Sequence, residues 1–241
     1  GCDPEDPALW VNYAFLAREK GDIALATEKL QMAVKLNPDN PQIHNNYGTV
    51  LHESGKLQEA ETEFREALKL EPSYLQAKIN LATVLMALNK FEEAEKFMKD
   101  VLREDSENIS VLFKLARLFR MTTRYTEAKG CLEAVLPKMA DDPEVLTEAA
   151  YLYAESSGKN VYNSVKALEF ARKACQLTGY SNCVCLDALA VAQAANGDFL
   201  NALRTEEKAL DVARATAQKI YIGLIEEHLK KIKNKVFPFE E

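Results

Sequence analysis

The chain predicts an all-α fold of six helix-turn-helix repeats closed by a C-terminal helix, and three observations predict it. Residue types recur at intervals of 34 positions, small and bulky residues alternate at fixed places within each interval, and helix-breaking residues are scarce. A fixed period of this length means that each unit buries its apolar face on its neighbours rather than within itself.

The period is plainest in the first four units. With Pro7 as position one, the fourth position reads Trp10, His44, Lys78 and Leu112, and the seventh reads Tyr13, Tyr47, Leu81 and Leu115. The eighth is small throughout (Ala14, Gly48, Ala82, Ala116). Ala26, Ala60, Ala94 and Ala128 follow twelve residues later, and then a bulky slot holds Leu30, Phe64, Met98 and Leu132. Paired helices approach closely only where a side chain is nearly absent, so the small slots mark the contact line of each hairpin. Turns are expected near Gly21, Gly55 and Asn89, and Pro38 and Pro72 close the first two units. The repeats run about 7–40, 41–74, 75–108, 109–142, 143–182 and 183–216, with a loop insertion at 156–164 in the fifth. A capping helix is expected over about 217–236, where Ile225, Leu229, Ile232 and Val236 stand 4, 3 and 4 apart on one face. No glycine or proline marks its start.

Composition agrees. Nine glycines and eight prolines in 241 residues, with 47% hydrophobic content, suit long helices and short turns. A formal charge of −7 argues against general nucleic-acid binding, which needs a clustered positive field. No run of about 18 apolar residues appears, so direct membrane insertion is not expected. The opening GCDPEDP, without an initiator Met, reads as the start of a processed or excised piece; Cys2 has a lipoprotein-like context but no hydrophobic signal region before it. The compartment stays open between cytoplasm and a bacterial extracytoplasmic space.

The five cysteines (Cys2, Cys131, Cys175, Cys183, Cys185) have neither disulfide-framework nor zinc-knuckle spacing. Cys175 either bridges to Cys183 or Cys185 in an oxidising compartment or remains a buried thiol. No metal or cofactor is expected. Catalytic motifs are absent, and pairs such as Glu92/Glu93 and Glu226/Glu227 read as solvated helix faces. His44 occupies the slot of Trp10 and reads as a packing residue; His52 lies near the groove face.

The 34-residue pattern resembles the tetratricopeptide repeat (TPR) family across nearly the whole chain. That resemblance implies a right-handed superhelix, first helices lining a concave groove, and a non-enzymatic scaffold whose partner is a protein or peptide. Asn12, Asn46 and Asn80 hold the sixth, inner-facing position of units one to three. A similar asparagine ladder lines the repeats of the O-linked N-acetylglucosamine transferase, where it would contact an extended peptide backbone. Either these amides form such a ladder or they bond local backbone and one another. Units four to six carry Lys114, Glu148 and Ala188 there, so the ladder ends after three rungs. Asn45 has Val11 and Ile79 as counterparts and belongs to no series.

Adjacent inner positions add Val11, Phe15, Ile79, Phe113 and Tyr151. Lys114, Arg117 and Arg120 form a basic face that either grips a carboxylate or phosphate on a partner or pairs with Glu144, Glu148 and Glu155, Lys114 with Glu148 in particular. The family's carboxylate clamp is not expected, because its positions hold Val11, Phe15, Gln76 and Asn80. The last third is similar to the final repeats of bacterial membrane-anchored glycosyltransferase-like proteins, which implies an alternative role as a substrate-recruiting portion of a larger enzyme. Self-association through the groove is a second alternative.

Overall fold

The computed structural model of the chain describes residues 5–156, 160–216 and 218–235. Its thirteen helices, with no strand among the described residues, are α1 (Pro7–Glu19), α2 (Ile23–Leu36), α3 (Pro41–Glu53), α4 (Leu57–Leu70), α5 (Leu75–Ala87), α6 (Phe91–Glu104), α7 (Ile109–Met121), α8 (Tyr125–Val135), α9 (Pro143–Glu155), α10 (Ser164–Leu177), α11 (Cys183–Ala195), α12 (Phe199–Ala215) and α13 (Lys219–Lys233). None is long and apolar enough to cross a membrane. The all-α class expected from the period is observed. The chain divides into two compact units, Gly1–Val111 and Leu112–Glu241.

In the first unit the hairpins α1/α2, α3/α4 and α5/α6 pack in sequence. The starts of α1, α2 and α3 are fixed by side-chain caps: Asp6 accepts from Ala8 N, Asp22 from Leu25 N, and Asn40 from Gln42 N and Ile43 N. The turns sit where the period places them. Gly21, Gly55 and Asn89 have φ of 77°, 79° and 58°, the left-handed conformation that ends one helix before the next begins. Along the hairpin seams Ala26, Ala33, Ala60, Ala67 and Ala94 are fully buried. At Gly48 a Cβ would stand 2.8 Å from the Phe64 ring, so this hairpin closes only because the side chain is missing.

In the second unit Thr123 continues the turn series with φ 57°. Helices α9 and α11 are buried along nearly their whole length, since α9 packs on α8, α10 and α11, and α11 on α9, α10, α12 and α13. Residues 157–159 of the insertion lie outside the described set. The rest of the insertion is tied down: Val161 is buried and Tyr162 donates its hydroxyl proton to Ala195 O at 2.7 Å. Helix α12 runs to Ala215 and α13 begins at Lys219. On α13, Ile225 and Ile232 are buried, Ile232 in a cluster with Ala190, Ala194 and Ala202. Val236, like Cys2, falls outside the described residues.

Candidate functional site

Each unit carries a groove. In the first, Asn12 and Asn46 line one cavity of ≈330 Å³ together with Pro7, Val11, Gln42 and Ile43. Asn12 is exposed and Asn46 half-buried, and neither carboxamide makes a side-chain hydrogen bond among the described residues. A smaller pocket beside it is lined by Val11, Phe15, Arg18, Asn46 and Thr49. Phe15 is 46% exposed. Arg18 is held in an ion pair with Glu53.

Asn80 behaves differently from the other two asparagines. Its Oδ1 accepts from Gln76 Nε2 at 2.9 Å, and its Nδ2 donates to Asn45 Oδ1 at 2.9 Å. Asn45, the member of the doublet without a series, is therefore the buried partner that joins α3 to α5, a role its repeat counterparts Val11 and Ile79 could not signal. His44 is a buried residue, as its slot suggested, with Nδ1 2.7 Å from Glu63 Oε2 and Nε2 2.7 Å from Pro38 O.

In the second unit a groove of ≈270 Å³ is lined by Phe113, Arg117, Arg120, Glu148, Tyr151 and Tyr221, among others. Its basic residues split into two kinds. Arg120 is inside: it donates to Glu148 and Glu155, and its guanidinium lies 4.9 Å from the centre of the Tyr151 ring. Burial works against its charge, but the two carboxylates outweigh it and hold the guanidinium well above its ordinary pKa. Arg117 leaves about half its side chain (52%) in solvent, with Nε 3.8 Å from Glu148 Oε2. The expected Lys114–Glu148 pair is not formed, because Glu148 is shared by Arg117 and Arg120. Burial, reinforced by Arg117 and opposed by Glu144, pushes the Lys114 ammonium below its ordinary value.

Behind the groove lies a buried polar chain without a repeat signature. Tyr151 exposes 5% of its surface and donates its hydroxyl proton to Asp187 Oδ2. Burial and the Asp187 carboxylate raise its phenol well above the ordinary range. Asp187 Oδ1 lies 2.8 Å from His228 Nδ1, and Glu206 completes the group. Burial alone would raise the Asp187 pKa; the bond and charge of His228, with the Tyr151 hydroxyl, lower it instead. His228 is raised by Asp187 against the opposing effect of burial. Glu206 is pushed to about 12, by burial first and the Asp187 charge second. The cysteines nearby are thiols: Cys175 Sγ donates to Cys185 O at 3.1 Å, and Cys183 Sγ to Gln218 Oε1 at 2.8 Å.

Two family models match the chain. One, the middle TPR-like domain of cilia and flagella-associated protein 70, covers residues 36–139; the other, the TPR repeat, covers residues 16–55. Together the two models span residues 16–139, and the helical hairpins of that stretch are similar to tetratricopeptide repeats. Solved TPR structures share the fold. A tetratricopeptide repeat protein from Parabacteroides merdae has a TM-score of 0.69 at 18% identity, over 97% of this chain and 94% of that one. PilF of Pseudomonas aeruginosa has a TM-score of 0.67 at 17% identity, over 92% and 96%. YrrB, a TPR protein with an unusual peptide-binding site, has a TM-score of 0.56 at 18% identity, over 80% and 99%. At these identities the likeness is one of fold. No curated protein matches the chain significantly in sequence.

Proposed function

We propose that this chain is a non-enzymatic scaffold that holds an extended peptide along the inner face of α1 and α3, with Asn12 and Asn46 as the backbone-binding amides. One observation carries the reading: two carboxamides, one repeat apart, line a common ≈330 Å³ cavity with no side-chain hydrogen bond of their own among the described residues. Each offers a donor and an acceptor, matching the peptide N–H and C=O without reading side chains. Phe15 and Val11 supply an apolar neighbour for a ligand side chain. The bonds of Asn80 to Asn45 and Gln76 make it a support for the clamp rather than its third rung.

In the second unit, Phe113, Arg117, Tyr221 and Leu224 form a separate apolar groove with one solvent-facing guanidinium, suited to a side chain beside an acidic group. A recruiting role beside a catalytic domain, or self-association, would use the same faces with a different occupant. TPR hairpins are scaffold elements, and the TPR fold is consistent with protein or peptide partners.

Panning a random-peptide display library against the native chain and against the Asn12→Ala/Asn46→Ala variant tests the proposal. Peptides enriched on the native chain should lose binding to the variant. Equal enrichment on both would remove the clamp.

A further inference from the structure

Asp187 on α11, Glu206 on α12 and His228 on α13 bring one ligand atom each within 4.8 Å of one another. They are 1%, 0% and 6% exposed. Two carboxylates and an imidazole are an unusual content for the seam of a helical repeat, since each buried charge must be balanced to be tolerated. Asp187 is balanced by the Tyr151 hydroxyl and His228 Nδ1. Glu206 is not. Among the described residues neither of its oxygens has a hydrogen-bond donor, and the group beside it is the Asp187 carboxylate, itself an acceptor. Two acceptors face to face need something positive between them: a proton on Glu206, or a cation.

We propose that Asp187, Glu206 and His228 bind a divalent transition ion of the zinc type, which staples α13 onto α11 and α12. The donor set fits this class. An imidazole nitrogen with carboxylate oxygens suits zinc and its neighbours, whereas magnesium and calcium take oxygen-only shells. At metal–ligand lengths of about 2.0–2.2 Å, two ligands of a tetrahedral zinc stand roughly 3.3–3.6 Å apart, so Asp187 Oδ1 and His228 Nδ1, now 2.8 Å apart, would open by about half an ångström, and ligand atoms at the 4.8 Å limit would close by about 1.2 Å. Two carboxylates and one neutral imidazole exactly balance a dication, leaving no net charge in the seam. The Tyr151 hydroxyl on Asp187 Oδ2 supplies the outer hydrogen bond that orients a ligating carboxylate. The three ligands are 19 and 22 residues apart in sequence, one on each of three successive helices, and so match no local metal-binding spacing.

The test compares the full native chain with Glu206→Gln. Glutamine keeps the shape of a protonated carboxyl and can donate to Asp187, so the variant preserves the proton-bridged arrangement while removing a metal ligand. Both chains are refolded with zinc, dialysed and assayed for bound metal, and the refolding is repeated with cobalt(II) to read ligand-field absorbance. The expected result is one zinc per native chain, a higher unfolding midpoint with zinc than with chelator, and zinc affinity reduced in Glu206→Gln by more than the 10–100-fold that loss of an outer partner typically costs. His228→Gln should lose zinc in the same way. Zinc retained equally by native chain and variants, or by none of them, would overturn the site and leave the proton as the bridge.

Discussion

Asn80 gives its carboxamide N–H to Asn45 Oδ1 at 2.9 Å, joining α5 to α3 through a residue that is 5% exposed. Asn45→Ala should therefore cost about 1–2 kcal/mol of stability, because it leaves a half-buried amide without its partner. Asn12→Ala and Asn46→Ala remove no side-chain hydrogen bond among the described residues and should leave the denaturant midpoint nearly unchanged while weakening peptide binding. Urea unfolding of the three single variants separates the structural asparagine from the two binding ones.

Gly48 and Phe64 are a matched pair. The other units put Ala opposite Leu30, Met98 and Leu132, whereas the Phe64 ring lies where a Gly48 Cβ would be. Gly48→Ala gains roughly 1 kcal/mol in helix propensity but forces a buried ring to move, and overpacking costs typically 1–3 kcal/mol. A net loss of about 1 kcal/mol is expected, and Gly48→Ala/Phe64→Leu should recover much of it. A double-mutant cycle measures the coupling.

Thr123 holds the left-handed turn position that Gly21 and Gly55 fill in earlier repeats, at φ 57°. A β-branched residue there is strained. Thr123→Gly should stabilise the chain by about 1 kcal/mol, the left-handed penalty exceeding glycine's greater unfolded-state freedom. Thermal unfolding reads the sign directly.

Arg120 and Arg117 share Glu148 but not a role. Arg120→Ala should cost about 3–5 kcal/mol, because Glu148 is then left buried with only a distant partner. Arg117→Glu should change stability little, and should instead alter the affinity and salt dependence of an acidic ligand for the second groove.

Glu61, 9% exposed, accepts from Arg65 and from Lys90 of the following repeat. Burial opposes its ionisation, yet the two cations win and its pKa is lowered below 4.5. Its contribution to stability is thus full above the unfolded-state value and disappears as pH falls through the lower folded value. Glu61→Gln should lower stability at neutral pH and flatten the decline on acidification below about pH 4.5. Denaturant midpoints measured from pH 7 to pH 3 provide the check.

The hairpins were legible in the sequence because everything that makes them is local and periodic. The alanine seams, the bulky slot from Leu30 to Leu132 and the turns at Gly21, Gly55 and Asn89 recur because each repeat solves the same packing problem. Asn12, Asn46 and Asn80 looked equivalent for the same reason, since a period assigns a face and says nothing of which neighbour reaches it. Folding decided that Asn80 bonds the aperiodic Asn45, that Glu148 takes Arg120 and Arg117 rather than Lys114, and that Asp187, Glu206 and His228 meet. Repeat periodicity is set by backbone packing, whereas these polar partnerships depend on side chains from different helices converging in three dimensions, a distance that spacing along the chain does not encode.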